Sequence, residues 1–144
     1  MPVGTAFVQT FSRDVMTGQD ASACVFACIG SLFTMYVLMA LRMSFYRLAG
    51  SPGENKPNSP LNKFYEVQML TAEWIPVGSI LGLALLYKAT LPGFYIECLV
   101  GGFTIARFVF TIVKLEYVPV HFLGVVSMTS CYICTLLMAL ALFV

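Results

Sequence analysis

The sequence predicts an all-α integral membrane protein, a single domain built as a four-helix bundle with up-down topology. Three observations predict it. The 144 residues are 59% hydrophobic and 10% charged, where soluble domains carry about 25% charged residues. The apolar residues gather into four long segments separated by short polar stretches, each near the ~20 residues that a helical span needs. None of these segments alternates with period two, as the strands of a membrane barrel must. The net charge of +1 leaves no footprint for nucleic acid.

The first helix is expected from about Ala21 to Leu41, with Thr17 or Asp20 as its cap and no charge inside it. Arg13, Asp14 and Asp20 interrupt the residues before it, and no basic region precedes an apolar core. The helix therefore reads as an uncleaved signal-anchor, ended by Arg42. A polar loop over about 42–59 follows. Its centre, SPGENKPNSP, is too rich in proline and glycine for regular structure. Ser59 and Pro60 suit an N-cap and a first helical position, so the second helix is expected over about 60–87, with Pro76 inside it. Lys88-Ala-Thr-Leu-Pro is a tight turn. The third helix is expected over about 91–113, and the fourth, after Lys114, Glu116, Tyr117 and Pro119, over about 120–144. Gly78 with Gly82, and Gly102 with Ala106, are small-xxx-small pairs that let helices approach closely.

Basic residues set the expected orientation. Arg42, Arg47, Lys56, Lys63 and Lys114 lie in or beside the first and third connections, against Arg13 and Lys88 on the other side. The positive-inside rule then puts segments 42–66 and 114–119 in the cytoplasm and both termini in a lumen or outside.

The stretch KFYEVQMLTAEWIP, Lys63 to Pro76, carries two carboxylates into an apolar segment. Glu66 and Glu73 are one heptad apart and share a helix face, with about 20° of drift. Glu73 lies about six residues inside the segment, roughly 9 Å deep. An ionisable group at that depth must face the bundle interior or a wet cavity. Arg107 lies about as deep in the third helix, so the two are expected to meet. Arg42, Lys63, Glu66, Lys114, Tyr117 and His121 fall near the same membrane surface, and Glu97 near the opposite one. Such a cluster suits a small anionic or zwitterionic ligand, because arginine grips carboxylates with paired hydrogen bonds. The plain alternatives are a structural ion pair for Glu73 and Arg107, and snorkelling to headgroups for Arg42, Arg47 and Lys63. Cys24 and Cys28, and the CxxC pair Cys131 and Cys134, have apolar neighbours and read as buried thiols. With one histidine and no clustered carboxylates, no metal site is expected.

The most specific segment is Glu66-x-x-x-Leu70-x-x-Glu73-Trp74-Ile75-Pro76, with Ala106-Arg107 in the third helix and Arg42 at the end of the first. Over about residues 25–144 this pattern resembles the membrane-associated proteins in eicosanoid and glutathione metabolism, the MAPEG family. That family's second helix typically reads Arg-x-x-x-Asn-x-x-Glu, an aromatic or small residue, then Pro two places later. The resemblance implies a homotrimer of the endoplasmic reticulum that binds glutathione as co-substrate between subunits, beside a lipophilic small molecule drawn from the bilayer. It implies that Glu73 receives the glutathione amino group and that Arg42 and Arg107 hold its carboxylates. Trp74 and Lys114 complete the binding set. Arg107 and His121 are the candidate catalytic residues, His121 taking the place of an arginine that activates the thiol in some members. The departures are Glu66 for the family's arginine, Leu70 for its asparagine, and Phe110 and Lys114 for two ring positions. Glu66 reverses the local sign, and Lys63 and Lys114 offset it in part.

Three functions follow as expectations. The first is a glutathione-dependent transferase or peroxidase acting on lipophilic electrophiles or lipid hydroperoxides. The second is a non-enzymatic lipid-binding or scaffold protein of the same fold. The third is a small channel or transporter subunit, with Glu73 and Arg107 lining a path.

Overall fold

A computed structural model describes residues 18–50, 59–88, 91–115 and 120–143; the side chains of 18–20, Pro60 and His121 lie outside that description. The described residues form four α-helices: α1 (Gly18–Leu48), α2 (Pro60–Lys88), α3 (Gly93–Lys114) and α4 (His121–Ala141). Each is long and apolar enough to cross a membrane. The exposed faces carry large apolar side chains, such as Phe26, Phe33 and Phe45 on α1 and Phe122, Ile133 and Leu136 on α4. In water this would be an extended sticky surface; against acyl chains it is the contact surface.

The first helix differs from the expected one. It passes Arg42 and ends only at Leu48, because Arg42 to Leu48 contains no helix breaker and arginine is a good helix former. Gly50, at φ 86°, is the stop, and its N–H donates to the Arg47 carbonyl. The centre of the expected loop, 51–58, lies outside the described residues, as do Glu116, Tyr117 and Pro119. At the start of α2, the Ser59 hydroxyl accepts the Asn62 N–H at 3.2 Å, the cap expected there. The helix runs on through Pro76.

Among the described residues α2 and α3 touch each other and both flanking helices, while α1 and α4 do not touch. The start of α2 lies beside the end of α3, where Lys114 reaches Glu66. The ends of α2 and α4 are tied by Lys88, whose Nζ donates to the Leu142 carbonyl at 2.6 Å. The main core joins Val25, Leu32, Val67, Ile75, Leu85, Val100, Phe103 and Met138. Gly78 sits under the Phe103 ring so closely that an added Cβ would overlap it, and a Cβ at Gly82 would lie 3.1 Å from Val100. These small residues therefore bring α2 against α3. A separate cluster, Met43, Leu61 and Phe64, joins the last turns of α1 to the first turns of α2.

Candidate functional site

The polar side chains gather at the end of the bundle that holds Arg42, Lys63, Glu66 and Lys114, called the basic end below. Helix α3 presents two different sides there. Phe110, Val113 and Lys114 face a cleft of about 570 Å³ shared with α2 and α4. Thr111, Ile112 and Leu115 face a slot of about 590 Å³ shared with α1 and α2. At 100° per residue the two sides lie roughly 150° apart around α3. Both volumes fall within the usual range for small-molecule sites, about 300–1,000 Å³.

The α2–α3–α4 cleft is charged at its mouth and apolar below. Lys63, Glu66 and Lys114 rim it, and Val67, Phe110, Val125 and Met128 form its walls. Lys114 Nζ lies 3.1 Å from Glu66 Oε1, with both side chains about half exposed. A pair this open contributes under about 1 kcal/mol to stability. Two lysines and one glutamate are the charged residues that line the mouth among the described residues.

Arg107 lies one heptad, roughly 10 Å, deeper than Lys114 on α3. It is wholly buried. Its Nη2 donates to the Leu70 carbonyl at 3.0 Å, with the Thr71 hydroxyl at 3.5 Å. Its Nη1 lies 4.0 Å from the Met128 sulfur, and its Cζ sits 5.3 Å from the Phe110 ring centre. Within α2 the Leu70 carbonyl also accepts the helical bond from four residues on, so the guanidinium takes its second lone pair. Thr71 Oγ1 itself donates to Val67 at 2.6 Å. The Arg107 Nε–H has no partner. No carboxylate lies within ion-pair distance of Arg107 among the described residues. Phe110 and Met128 touch the guanidinium and also line the cleft. A buried cation with no counter-ion among the described residues thus lies directly behind the cleft wall.

The expected meeting of Glu73 and Arg107 does not occur. Glu73 is exposed on α2, while Arg107 docks at Leu70 and Thr71. The two groups match in depth, but Glu73 is two residues beyond Thr71, about 200° around the helix. Trp74 is half-buried, edge-on to Tyr132 of α4 with ring centres 4.8 Å apart. Arg42 lies over the Phe64 ring at 4.7 Å and lines the other slot, away from Arg107. His121 begins α4, and its side chain lies outside the described residues. The structure therefore brings Lys114, Lys63 and Glu66 to one cleft, sets Arg107 behind its wall, and leaves Arg42 and Glu73 off it within one chain.

Sequence reasoning missed Thr71, Met128 and the Leu70 carbonyl as the groups that hold Arg107. Depth counting contained a signal for Thr71, which is level with Arg107, but a backbone carbonyl has no sequence signature. The five cysteines are free thiols, and the described residues contain no group of three or more metal-ligating side chains. Compared with protein-family models, with curated proteins and with solved structures, the chain gives no match.

Proposed function

We propose that the chain is a membrane-embedded glutathione-dependent transferase or peroxidase acting on lipophilic electrophiles or lipid hydroperoxides. The observation that carries the reading is Arg107, an uncompensated cation inside a span, separated from an open cleft by Phe110 and Met128. A cation in a low-dielectric wall stabilises an anion that forms beside it, here the glutathione thiolate. The thiolate attacks an electrophilic carbon, forms the C–S bond and expels the leaving group. With a hydroperoxide it takes the terminal oxygen, the alcohol departs, and a second glutathione closes the disulfide with release of water. In both schemes the protein orients and stabilises and supplies no covalent nucleophile. Lys63 and Lys114 are placed to draw the glutathione carboxylates to the mouth.

The MAPEG resemblance supports the same reading, and two of its departures answer each other. Where the family has arginine on the second helix and a ring residue on the third, this chain has Glu66 and Lys114, which pair across the same gap. The mouth keeps its cation by moving it from α2 to α3.

The homotrimer belongs to this proposal. Glu73 is an ionisable group well inside α2 that faces away from its own bundle, and such a group is costly against acyl chains. A neighbouring subunit covers it in our reading and supplies the partner for its carboxylate. Arg42, on the far side of α3 from the cleft, reaches a glutathione site only from an adjacent copy. His121, the first residue of α4, is the candidate acid or base in this reading. We place the protein in the endoplasmic reticulum by the resemblance, with alternating up-down spans, luminal termini and the basic end in the cytoplasm.

A second reading, a non-enzymatic lipid-binding protein of the same fold, is favoured by one observation: Nη2 of Arg107 is already held by the Leu70 carbonyl. Glutathione titration of the purified protein in detergent separates the two. The transferase reading expects a rise in thermal stability, thiolate absorbance at millimolar glutathione, and conjugation of chlorodinitrobenzene or reduction of a lipid hydroperoxide. Absence of both the stabilisation and the thiolate signal sinks it in favour of the lipid-binding reading.

A further inference from the structure

Two sulfur atoms of α4 stand beside the buried guanidinium. The Met128 thioether lies 4.0 Å from Arg107 Nη1. The Cys131 thiol, three residues further along and wholly buried, stands close to the same group. Of the two, Met128 lines the cleft, and it is half-buried. Its contact serves Arg107 poorly. A thioether is a weak acceptor, the separation is long, and the neighbouring Nε–H has no partner. A buried donor left unpaired costs about 1–3 kcal/mol. An oxygen bonded to the Met128 sulfur would supply an acceptor close to the guanidinium, and the flexible methionine side chain can turn it inward.

From this arrangement we propose that Met128 is a site of oxidative modification: a lipid hydroperoxide in the cleft converts its thioether to the sulfoxide, and the new oxygen accepts a hydrogen bond from Arg107. The sulfur lone pair attacks the terminal oxygen of the hydroperoxide. The S–O bond forms as the O–O bond breaks, the hydroperoxide proton passes to the departing alkoxide, and an alcohol leaves. Sulfur gives up two electrons and the peroxide takes them. Negative charge grows on the departing oxygen, and the field of the cation behind the wall stabilises it without contact. Val67, Phe110 and Val125 give the cleft walls that suit an oxidised acyl chain, and Val125 is 64% exposed toward the bilayer side. The product sulfoxide stands between Arg107 and the cleft. In the glutathione reading, on which this consequence rests, it withdraws the cation from the thiolate and shuts the site down under peroxide load.

The test exposes the full chain in detergent to linoleic acid hydroperoxide without glutathione and follows added oxygen by peptide mass spectrometry. Exposure alone ranks Met69, 48% exposed on α2, ahead of half-buried Met128. The expected result is the reverse order. Arg107→Leu should slow oxidation of Met128 about 5-fold, for a field effect of roughly 1 kcal/mol. The melting temperature should hold or rise on oxidation of the wild type. It should fall on oxidation of Arg107→Leu, where the sulfoxide meets an apolar wall. Oxygen appearing first at Met69 or at Cys131, or a wild-type melt that falls as far as that of Arg107→Leu, overturns the proposal. For the switch, conjugation by pre-oxidised wild type should drop in step with oxygen at Met128, and Met128→Leu should keep its own starting rate through the same treatment; equal loss in both overturns it. Failure of untreated protein to bind glutathione sinks the enzyme reading alone and leaves the order of oxidation standing.

Discussion

The two halves of the bundle solve opposite problems with the same pair of helices. Away from the basic end, α2 and α3 close on each other through Gly78 and Gly82, which take Phe103 and Val100 into the space a side chain would fill. Toward the basic end the same helices meet through Arg107 and Lys114, and a cleft and a slot open on different sides of α3. The closed half fixes the spacing of the two helices, and the open half uses that spacing to hold charge at depth. Without a hydrophobic driving force between spans in lipid, close van der Waals packing is what keeps α2 and α3 together. The contrast teaches that the half with the charged cleft is anchored by a half held chiefly by close apolar packing.

The sharpest way to break the comparison is Arg107→Met. Methionine fills much of the same volume and leaves no buried charge. The Leu70 carbonyl keeps its helical bond. Replacing a buried charge by a well-packed apolar residue is often neutral or stabilising, so the melting temperature should hold or rise. Glutathione conjugation should fall by about 100-fold or more, the usual cost of losing one electrostatic stabiliser. A conjugation rate that survives the change removes Arg107 from the chemistry. In the closed half, Gly78→Ala should destabilise by about 1–3 kcal/mol, because the Phe103 ring must shift in a filled core; thermal unfolding reads it. An unchanged melt would show that α2 and α3 are not locked there.

Charge at the mouth should have smaller effects. Glu66→Lys sets like charges beside Lys114 and should weaken stability by less than about 1 kcal/mol in low salt, with the loss shrinking as salt rises. The swap of Glu66→Lys with Lys114→Glu should restore it, and failure of the swap would mean the pair does not interact. Smallest of all is Ser79→Ala in the closed half. That buried hydroxyl has no partner, so its removal should be neutral or slightly stabilising. A clear loss in a denaturant titration would reveal a hidden bond.

Much of this contrast was legible in the sequence, but unevenly. Long, predominantly apolar runs marked the four spans, and Ser59-Pro60 marked the start of α2, because those signals are local. Arg42 misled as a stop: a charged residue says where a helix meets the membrane surface, whereas the left-handed Gly50 says where the helix ends. Counting residues put Glu73 and Arg107 at one depth. It carried no information on the rotation of α2 about its axis, and that rotation sends Glu73 outward and offers Leu70 and Thr71 instead. The small-residue pair at Gly78 and Gly82 pointed to close packing, and the structure names its partners. The Glu66–Lys114 contact joins residues 48 apart, and neither residue alone reveals it.

The Met43–Leu61–Phe64 cluster has a consequence for how the chain is held together. Helix α1 has 31 residues, about 46 Å of rod at 1.5 Å per residue, against a hydrocarbon layer of about 30 Å. Its final turns and the opening turns of α2 clasp each other through this knot of side chains, close to the charged rim. The connecting peptide is then not the sole tether between the first span and the rest. Two separately expressed pieces, divided within residues 51–58, should find one another and assemble.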